Sequence, residues 1–220
     1  MTFRGRSQIT ALLWGLGFSL AGIVLVYGTS SGRLPPTAFV GIGVDERWTG
    51  PRGAWLRDDA MRPWRSHILE ASSRFDLPAA WIAAVIRVES FGLTHWEGEL
   101  VVSEAGAVGL MQVLPDTYEV LRARHDLGPD PHEPRDNILA GTAYLRLLYE
   151  IYGFPGFLGA YNAGPGRYGA HLFHGGELPG QTAVYMERIL PHIEGIYPDG
   201  ENQPREPDRE AYERLVASAL

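Results

Sequence analysis

Hydrophobic residues recur at helical spacing through most of the chain after residue 60. Ile82, Val85 and Ile86 stand at positions i, i+3 and i+4 of one segment, which is the spacing of one face of an α-helix. Such patterns, bounded by proline and glycine, predict helices at about 63–75, 78–89, 115–125, 134–152 and 181 onward, with a short turn or helix at 157–164. The chain shows no alternation typical of strands and no internal repeat. The pattern therefore predicts a mainly α domain over residues 60–196.

One acidic residue interrupts the most apolar of these predicted helices. Glu89 lies seven positions after Ile82, on the apolar stripe and in the last turn, since Gly92 follows as the predicted C-cap. The negative end of the helix dipole disfavours an anion there, and apolar surroundings do the same. Both effects raise the pKa of the carboxyl group. Two ordinary explanations stay open: the side chain leans out into solvent, or it pairs with Arg87.

The two ends of the chain differ from this helical region. An uncharged apolar run at 9–27 follows Arg4 and Arg6, and it is about long enough to span a bilayer with its basic end in the cytoplasm. Residues 1–28 are therefore predicted to be a signal peptide or a membrane anchor helix. Residues 29–59 are rich in Gly, Pro and Ser and predict a linker. The polar tail at 197–220, weakly helical from about Pro207, is expected to be disordered or a docking peptide.

Composition excludes several classes of function. The chain has no cysteine, so disulfides, thiolate metal sites and a cysteine nucleophile are ruled out. All basic residues are arginine, which excludes a lysine Schiff base. The net charge of −7 argues against a nucleic-acid-binding surface. His171 and His174 are two possible metal ligands without a third one nearby in the sequence, which argues against a metal enzyme. No Gly-x-Ser-x-Gly elbow is present, which argues against a serine hydrolase. We therefore predict no metal and no cofactor.

Four separated segments carry candidate chemistry. They are Glu89-Ser90, the sequence SEAGAVGLMQ at 103–112, the sequence GAYNAG at 159–164, and QTAVY at 181–185. The first places an acid in an apolar setting, and the second is a glycine-rich turn in which Gly109 would let the backbone approach a ligand. Each segment alone also has an ordinary explanation, as a tight loop, a core ring or a turn.

Taken in order, the four segments resemble the catalytic domain of the bacterial soluble lytic transglycosylases (the SLT domain), in the lysozyme-like superfamily. Members of that family carry an ES pair that ends a helix, then GLMQ, then AYNAG, then a helix with a tyrosine. The resemblance covers about residues 64–190, and the segment PRDNILAGTAYL at 134–145 is similar to the helix that the family places before AYNAG. One departure from the family pattern is visible. The family commonly spaces the ES pair and the following serine more tightly, whereas here twelve residues separate Ser90 from Ser103. These residues bring Trp96, Glu97 and Glu99 close to the acid in sequence.

The resemblance implies a mainly α, lysozyme-like domain that cleaves the β-1,4 bond between N-acetylmuramic acid (MurNAc) and N-acetylglucosamine (GlcNAc) in peptidoglycan. Glu89 would be the catalytic acid and then the base, with a 1,6-anhydro product and no consumption of water. Glycoside cleavage needs a protonated acid near neutral pH, so the apolar setting of Glu89 fits independently. The implied substrate-binding residues are Ser90, Gly109, Met111, Gln112, Tyr161, Asn162 and Tyr185.

The resemblance also assigns a role to most of these residues. Ser90 and Gln112 would position the acid or the sugar, and Met111 would form an apolar wall. Tyr161 and Asn162 would bind saccharide. Tyr185 would hydrogen-bond near Glu89.

Two rival interpretations remain open at this point. One is a hydrolase similar to goose-type lysozyme, in which Glu97, Glu99 or Glu104 activates water. The other is a non-catalytic wall-binding component of a secretion apparatus. All of these interpretations predict the periplasm or the cell envelope as the location, and peptidoglycan strands as the partner. Membrane contact through residues 9–27 and association with a secretion or conjugation machine are further expectations.

Overall fold

A computed structural model of the chain describes residues 54–198, 201 and 203–217, and these residues are mainly helical, as the sequence predicts. Two short 3-10 helices, Ala54–Arg57 and Asp59–Trp64, come first. The α-helices are α1 Arg65–Phe75, α2 Ala79–Ser90, α3 Pro115–His125, α4 Pro134–Ala163, α5 Pro165–His174, α6 Gly180–Ile193 and α7 Arg209–Ala217. Within this part of the chain no helix is both long and apolar enough to cross a membrane. The apolar run at 9–27 and most of the predicted linker lie outside the described residues.

Helix α2 runs through the centre of the core. Its side chains from Trp81 to Ile86 are all buried, which is the behaviour of a helix that is apolar on every side. The Trp81 ring stacks on Phe157 of α4, with 4.6 Å between the ring centroids. Its indole N–H donates to the Ile196 carbonyl at 2.9 Å. Helix α2 is thereby fixed on both sides, which fixes the position of its C-terminal acid.

Helix α4 consists of two straight pieces joined at a kink. Gly153 (φ 60°, ψ −166°) and Phe154 (φ −101°, ψ 134°) leave helical geometry. The sequence predicts this interruption, because it ends one helix before Gly153 and begins another near Phe157. The second piece carries the AYNAG segment into the interior of the domain, where Tyr161 and Asn162 are buried.

The structure corrects the sequence-based expectation at three places. Helix α5 is not among the helices that the sequence pattern predicts, yet Pro165 stands in its first turn, where proline starts helices well. A hairpin of β1 His95–Trp96 and β2 Glu99–Leu100 lies in the segment after α2. Its strands have two residues each, too few for alternation to be visible. Packing also begins inside the predicted linker, since Trp55 is buried in the core.

The C-terminal segment packs against the domain. The backbone N–H groups of Phe154 and Asp208 donate to the carbonyls of Arg205 and Ile151, at 2.9 and 2.8 Å. These two bonds attach the segment to the kink of α4. From α7, Tyr212 inserts between α4 and α5, with only 6% of its surface exposed. The described part of the tail therefore packs on the helical domain of the same chain.

We predict that Tyr212→Ala lowers the free energy of unfolding by about 2–4 kcal/mol, because it removes a buried ring and leaves a cavity. The Tyr212 ring stacks on the Phe173 ring, with 4.9 Å between the ring centroids. It also packs directly on Gly169, where an added Cβ would lie only 2.0 Å from the Tyr212 ring. Urea denaturation of the full chain measures the change. Leu172→Ala, at an exposed position of α5, is the matched control and should cost much less. A loss for Tyr212→Ala as small as the one for Leu172→Ala would show that the tail is not part of the folded unit.

Candidate active site

Glu89 lies in the last turn of α2 and is 5% exposed. The helix ends at Phe91, which adopts the left-handed conformation (φ 56°) and donates its N–H to the Arg87 carbonyl at 3.2 Å. The C-cap is thus one residue before the predicted Gly92, which continues the turn with φ 75°. The chain leaves the helix immediately after the acid, so the carboxyl group lies where the core meets the following loop.

Burial raises the pKa of the Glu89 carboxyl from its ordinary value of 4.5 to about 8. Both ordinary explanations that the sequence left open are excluded. The side chain does not lean into solvent, and the Arg87 guanidinium lies 3.7 Å from Asp58 instead. Among the described residues no cation forms an ion pair with the Glu89 carboxylate. The group is therefore mainly protonated at neutral pH.

Two tyrosine hydroxyls lie close to this carboxyl group. The Tyr185 hydroxyl of α6 lies where it can hydrogen-bond to the Glu89 carboxylate, and this interaction offsets part of the rise in the pKa of Glu89. It is buried and makes no hydrogen bond of normal geometry to any residue of the described segments. Burial and, second, the charge of Glu89 raise the pKa values of Tyr185 and Tyr161 well above 10.0. Both therefore remain hydroxyl donors at any physiological pH, and that of Tyr185 is available to a Glu89 carboxylate.

Helix α6 is held in register by a buried hydrogen bond. The Thr182 hydroxyl donates to the Asn162 side-chain oxygen at 2.9 Å, and both residues are buried. Tyr185 follows Thr182 by one turn and therefore lies on the same face of α6. Asn162, predicted to bind saccharide, thus places the tyrosine beside the acid.

The loop that carries Gly109 and Gln112 turns tightly beside the end of α2. Both residues have positive φ, 74° and 48°. The Gln112 side-chain N–H donates to the Gly109 carbonyl at 2.8 Å and approaches the Val101 carbonyl at 3.5 Å. The Gln112 side-chain oxygen is buried and has no partner in the described part of the chain. The Gln112 side-chain amide is thus held in place by its N–H group, while its oxygen remains available to accept a hydrogen bond.

Ser90 joins the end of α2 to this loop. Its hydroxyl donates to the Leu110 carbonyl at 2.8 Å and lies 3.2 Å from the Ile86 carbonyl, while accepting from the Gly92 N–H at 3.2 Å. These bonds are compatible with the positioning role predicted for Ser90, which stays a prediction. The residue after the acid fixes the loop against the helix.

Met111 and Tyr161 support the loop from the core side. Met111 is fully buried, and its sulfur lies 3.8 Å from the Thr142 hydroxyl. The Tyr161 hydroxyl donates to the Met111 carbonyl at 2.7 Å. The predicted roles, an apolar wall and a saccharide contact, place these side chains at the surface of a cleft. In the structure both lie beneath the loop, where they hold its backbone.

Asn137 is a supporting residue that lies outside the four motifs. Its side-chain oxygen accepts from the Met111 N–H at 2.8 Å, and its amide donates to the carbonyls of Val108 and Pro131 at 3.0 and 2.9 Å. The side chain also packs so closely that a Cβ on Gly109 would lie 2.4 Å from it. The sequence feature that could have indicated this role is an amide side chain next to the apolar positions of the 134–145 segment.

The three acidic residues that follow α2 in the sequence differ from Glu89 in their exposure. Glu97, Glu99 and Glu104 are all exposed, and no carboxylate contributes to the raised pKa of Glu89. No group of three His, Asp or Glu side chains within the described segments could hold a metal ion. The site is thus one buried acid with hydroxyl and amide groups around it.

Comparison with known proteins gives a consistent family. A family model described as the transglycosylase SLT domain matches residues 66–178. The soluble lytic murein transglycosylase of Salmonella typhimurium is 36% identical over 99 residues, which cover 42% of this chain and 15% of that protein. Membrane-bound lytic murein transglycosylase E of Buchnera aphidicola is 36% identical over 94 residues, covering 40% of this chain and 42% of that protein. The chain thus spans less than half of either relative.

A transglycosylase of Enterobacteria phage PRD1 is 32% identical over 90 residues, covering 41% of this chain and 30% of that protein. Among solved structures, an inactive mutant of lytic transglycosylase Slt from Pseudomonas aeruginosa has a TM-score of 0.44 and 24% identity, over 71% of this chain and 23% of that one. The Escherichia coli soluble lytic transglycosylase SLT70 has a TM-score of 0.43 and 24% identity, over 76% of this chain and 25% of that one.

We predict that Glu89→Gln stabilises the fold increasingly between pH 5 and pH 8. The unfolded carboxyl ionises near 4.5 and the folded one at about 8, so the folded state holds the extra proton in this window. Wild-type stability therefore falls as pH rises, by at most about 1.4 kcal/mol per pH unit and by a few kcal/mol in total. The glutamine variant lacks this loss. Urea denaturation at several pH values measures the difference.

The matched control is Glu97→Gln, which changes an exposed carboxylate of the hairpin turn and should leave the pH profile as in wild type. Parallel stability profiles for wild type and Glu89→Gln from pH 5 to 8 would contradict the raised pKa of Glu89.

Proposed function

Because this chain belongs to the transglycosylase SLT domain family, we propose that it cleaves peptidoglycan as a lytic transglycosylase. The mainly α, SLT-type domain inferred from the four motifs is confirmed by that membership. The proposed reaction breaks the MurNAc-β-1,4-GlcNAc bond without water. Glu89 acts first as the general acid and then as the general base.

The observation that carries this proposal is the buried carboxyl of Glu89, whose pKa of about 8 keeps it protonated at neutral pH. A glycosidic oxygen leaves readily only if it receives a proton as the bond breaks. A solvent-exposed glutamate is almost entirely ionised at pH 7 and holds little acid for this purpose. Burial in the last turn of α2 supplies the required protonation state.

After proton transfer, Glu89 is a carboxylate in a buried site. The Tyr185 hydroxyl, which has no other partner in the described segments, can donate a hydrogen bond to this anion. The acetamido oxygen of the MurNAc sugar stabilises the oxocarbenium-like centre at C1. The C6 hydroxyl of the same sugar then attacks C1 and gives its proton to Glu89. The C1–O6 bond closes the 1,6-anhydro ring, and the acid is regenerated.

Among the described residues no second carboxylate contributes to the pKa of Glu89, which favours this route over hydrolysis. Most glycosidases place two carboxyl groups within about 5–9.5 Å, one of them serving as nucleophile or as base for water. The three candidates, Glu97, Glu99 and Glu104, are exposed. A mechanism in which the substrate supplies the nucleophile needs only the acid that this site contains.

The remaining part of the proposal concerns location. One relative is named as membrane-bound and another comes from a phage. The run at 9–27, apolar behind a basic flank, favours export to the cell envelope as a cleaved or anchored protein. The proposed partner is the peptidoglycan strand, with local opening of the wall for a secretion or conjugation machine as the setting. The non-catalytic alternative predicts wall binding without lysis.

We predict that Glu89→Gln abolishes lysis of purified peptidoglycan, because the amide cannot donate the required proton. The variant should keep its helical circular dichroism. The matched control replaces Glu97, Glu99 and Glu104 together by Gln and should keep wild-type lysis. Mass spectrometry of the wild-type products should find 1,6-anhydro ends.

Two results would contradict this proposal in different ways. Reducing ends, together with loss of lysis in the triple variant, would identify a hydrolase. A folded and fully active Glu89→Gln would remove the assignment of the acid.

A further inference from the structure

The hairpin after α2 is a feature that the proposed reaction does not use. Trp96 pairs with Glu99, and His95 pairs with Leu100. The connecting residues Glu97 and Gly98 both have positive φ, 52° and 90°, as in the two-residue turns that suit a twisted hairpin. A hairpin this short is not stable by itself, so its position depends on what holds its base.

The base of the hairpin is attached to the loop that carries Gly109 and Gln112. The Val101 N–H donates to the Thr94 carbonyl at 3.0 Å, which extends the pairing by one residue on each strand. The Val101 carbonyl lies 3.5 Å from the Gln112 side-chain nitrogen. Val102 then forms a bridge with Val108 of the glycine-rich loop. The hairpin is therefore continuous with the site that contains Gln112.

The pairing decides which side chains face the domain. Residues opposite each other in an antiparallel pair share a face, and residues two apart on a strand also share one. Trp96 and Glu99 therefore lie on the same face as Val101. Val101 is buried, so this is the inner face. His95 and Leu100 lie on the outer face and are exposed.

Trp96, which shares the hairpin face of Val101, and Gln112, whose side-chain nitrogen approaches the Val101 carbonyl, each carry one unpartnered polar group. The Trp96 indole N–H is buried without an acceptor in the described residues, although the ring is only half-buried. The Gln112 side-chain oxygen is likewise buried without a donor. By contrast, the indole N–H groups of Trp64 and Trp81 donate to the carbonyls of Gly92 and Ile196, each at 2.9 Å. A buried polar group without a partner destabilises the free protein and requires an explanation.

We propose that Trp96 and Gln112 form a saccharide subsite, in which the hairpin holds one N-acetylhexosamine unit of the glycan strand beside the cleaved bond. A sugar hydroxyl or acetamido oxygen accepts from the Trp96 N–H, and an N–H or O–H of the sugar donates to Gln112. The apolar face of the pyranose ring packs on the exposed part of the indole. The extra residues after the acid thus lengthen the substrate-binding surface. This inference rests on the proposed function and adds Trp96 to it.

The test measures binding of a GlcNAc-MurNAc tetrasaccharide to the full chain carrying Glu89→Gln, which prevents turnover. Calorimetry should show binding at least about 10-fold weaker when Trp96→Ala is added, because the change removes both the ring and its N–H donor. His95→Ala, on the outer face of the same hairpin, is the matched control and should not change affinity. Equal affinity for the Trp96→Ala and His95→Ala proteins would overturn the proposal.

A second measurement applies if Trp96→Ala does not fold. The indole N–H resonance of Trp96, identified by its loss in Trp96→Phe, should shift when the tetrasaccharide is titrated into the Glu89→Gln chain. Binding without any shift of this resonance would overturn the subsite and leave the proposed function intact. Failure of the wild type to lyse peptidoglycan, with no tetrasaccharide binding, would overturn both.

Discussion

The energetic cost of burying one carboxyl group is the constraint on which this structure depends. An ionised glutamate in an apolar site loses most of its hydration, and Glu89 has no cation within the described residues to compensate. The proton is therefore retained, and the pKa rises to about 8. The same burial that costs the folded state stability at neutral pH keeps the carboxyl group protonated, and the proposed reaction uses that proton. Stability and function are thus opposed at this residue.

The surrounding framework is built from hydrogen bonds between side chains and backbone. Ser90, Tyr161 and Asn137 each contact a backbone group of the loop at 109–112, from the end of α2, from α4 and from the beginning of α4. A backbone held by three elements has little freedom to move. The Tyr185 hydroxyl and the Gln112 side-chain oxygen are among the buried polar groups that remain unpartnered in the described segments. Preorganised groups of this kind stabilise developing charge and bound sugar without first reorganising.

The helices and the acid were predictable because they depend on local sequence. The periodicity of α2 and the prolines that begin α3 and α4 mark those helices, and the position of Glu89 on an apolar stripe identifies its unusual setting. The role of Asn137 was not predictable, because two of its three partners, Val108 and Met111, come from a loop that is distant in sequence. The hairpin was missed since each strand has two residues. The weak helix of the tail is confirmed as α7. Its packing on the same domain was not predictable, because the polar composition conceals one ring, Tyr212, whose burial depends on Gly169.

The central claim is that Glu89 holds its proton at neutral pH, and a site-resolved titration tests it most directly. Carbon-13 NMR of the full chain, with labelled glutamate carboxyl carbons, follows each glutamate as pH changes. The signal of Glu89 is the one missing from Glu89→Gln. The account predicts a midpoint at about 8. A midpoint near 4.5, the ordinary value for a glutamate, would contradict it.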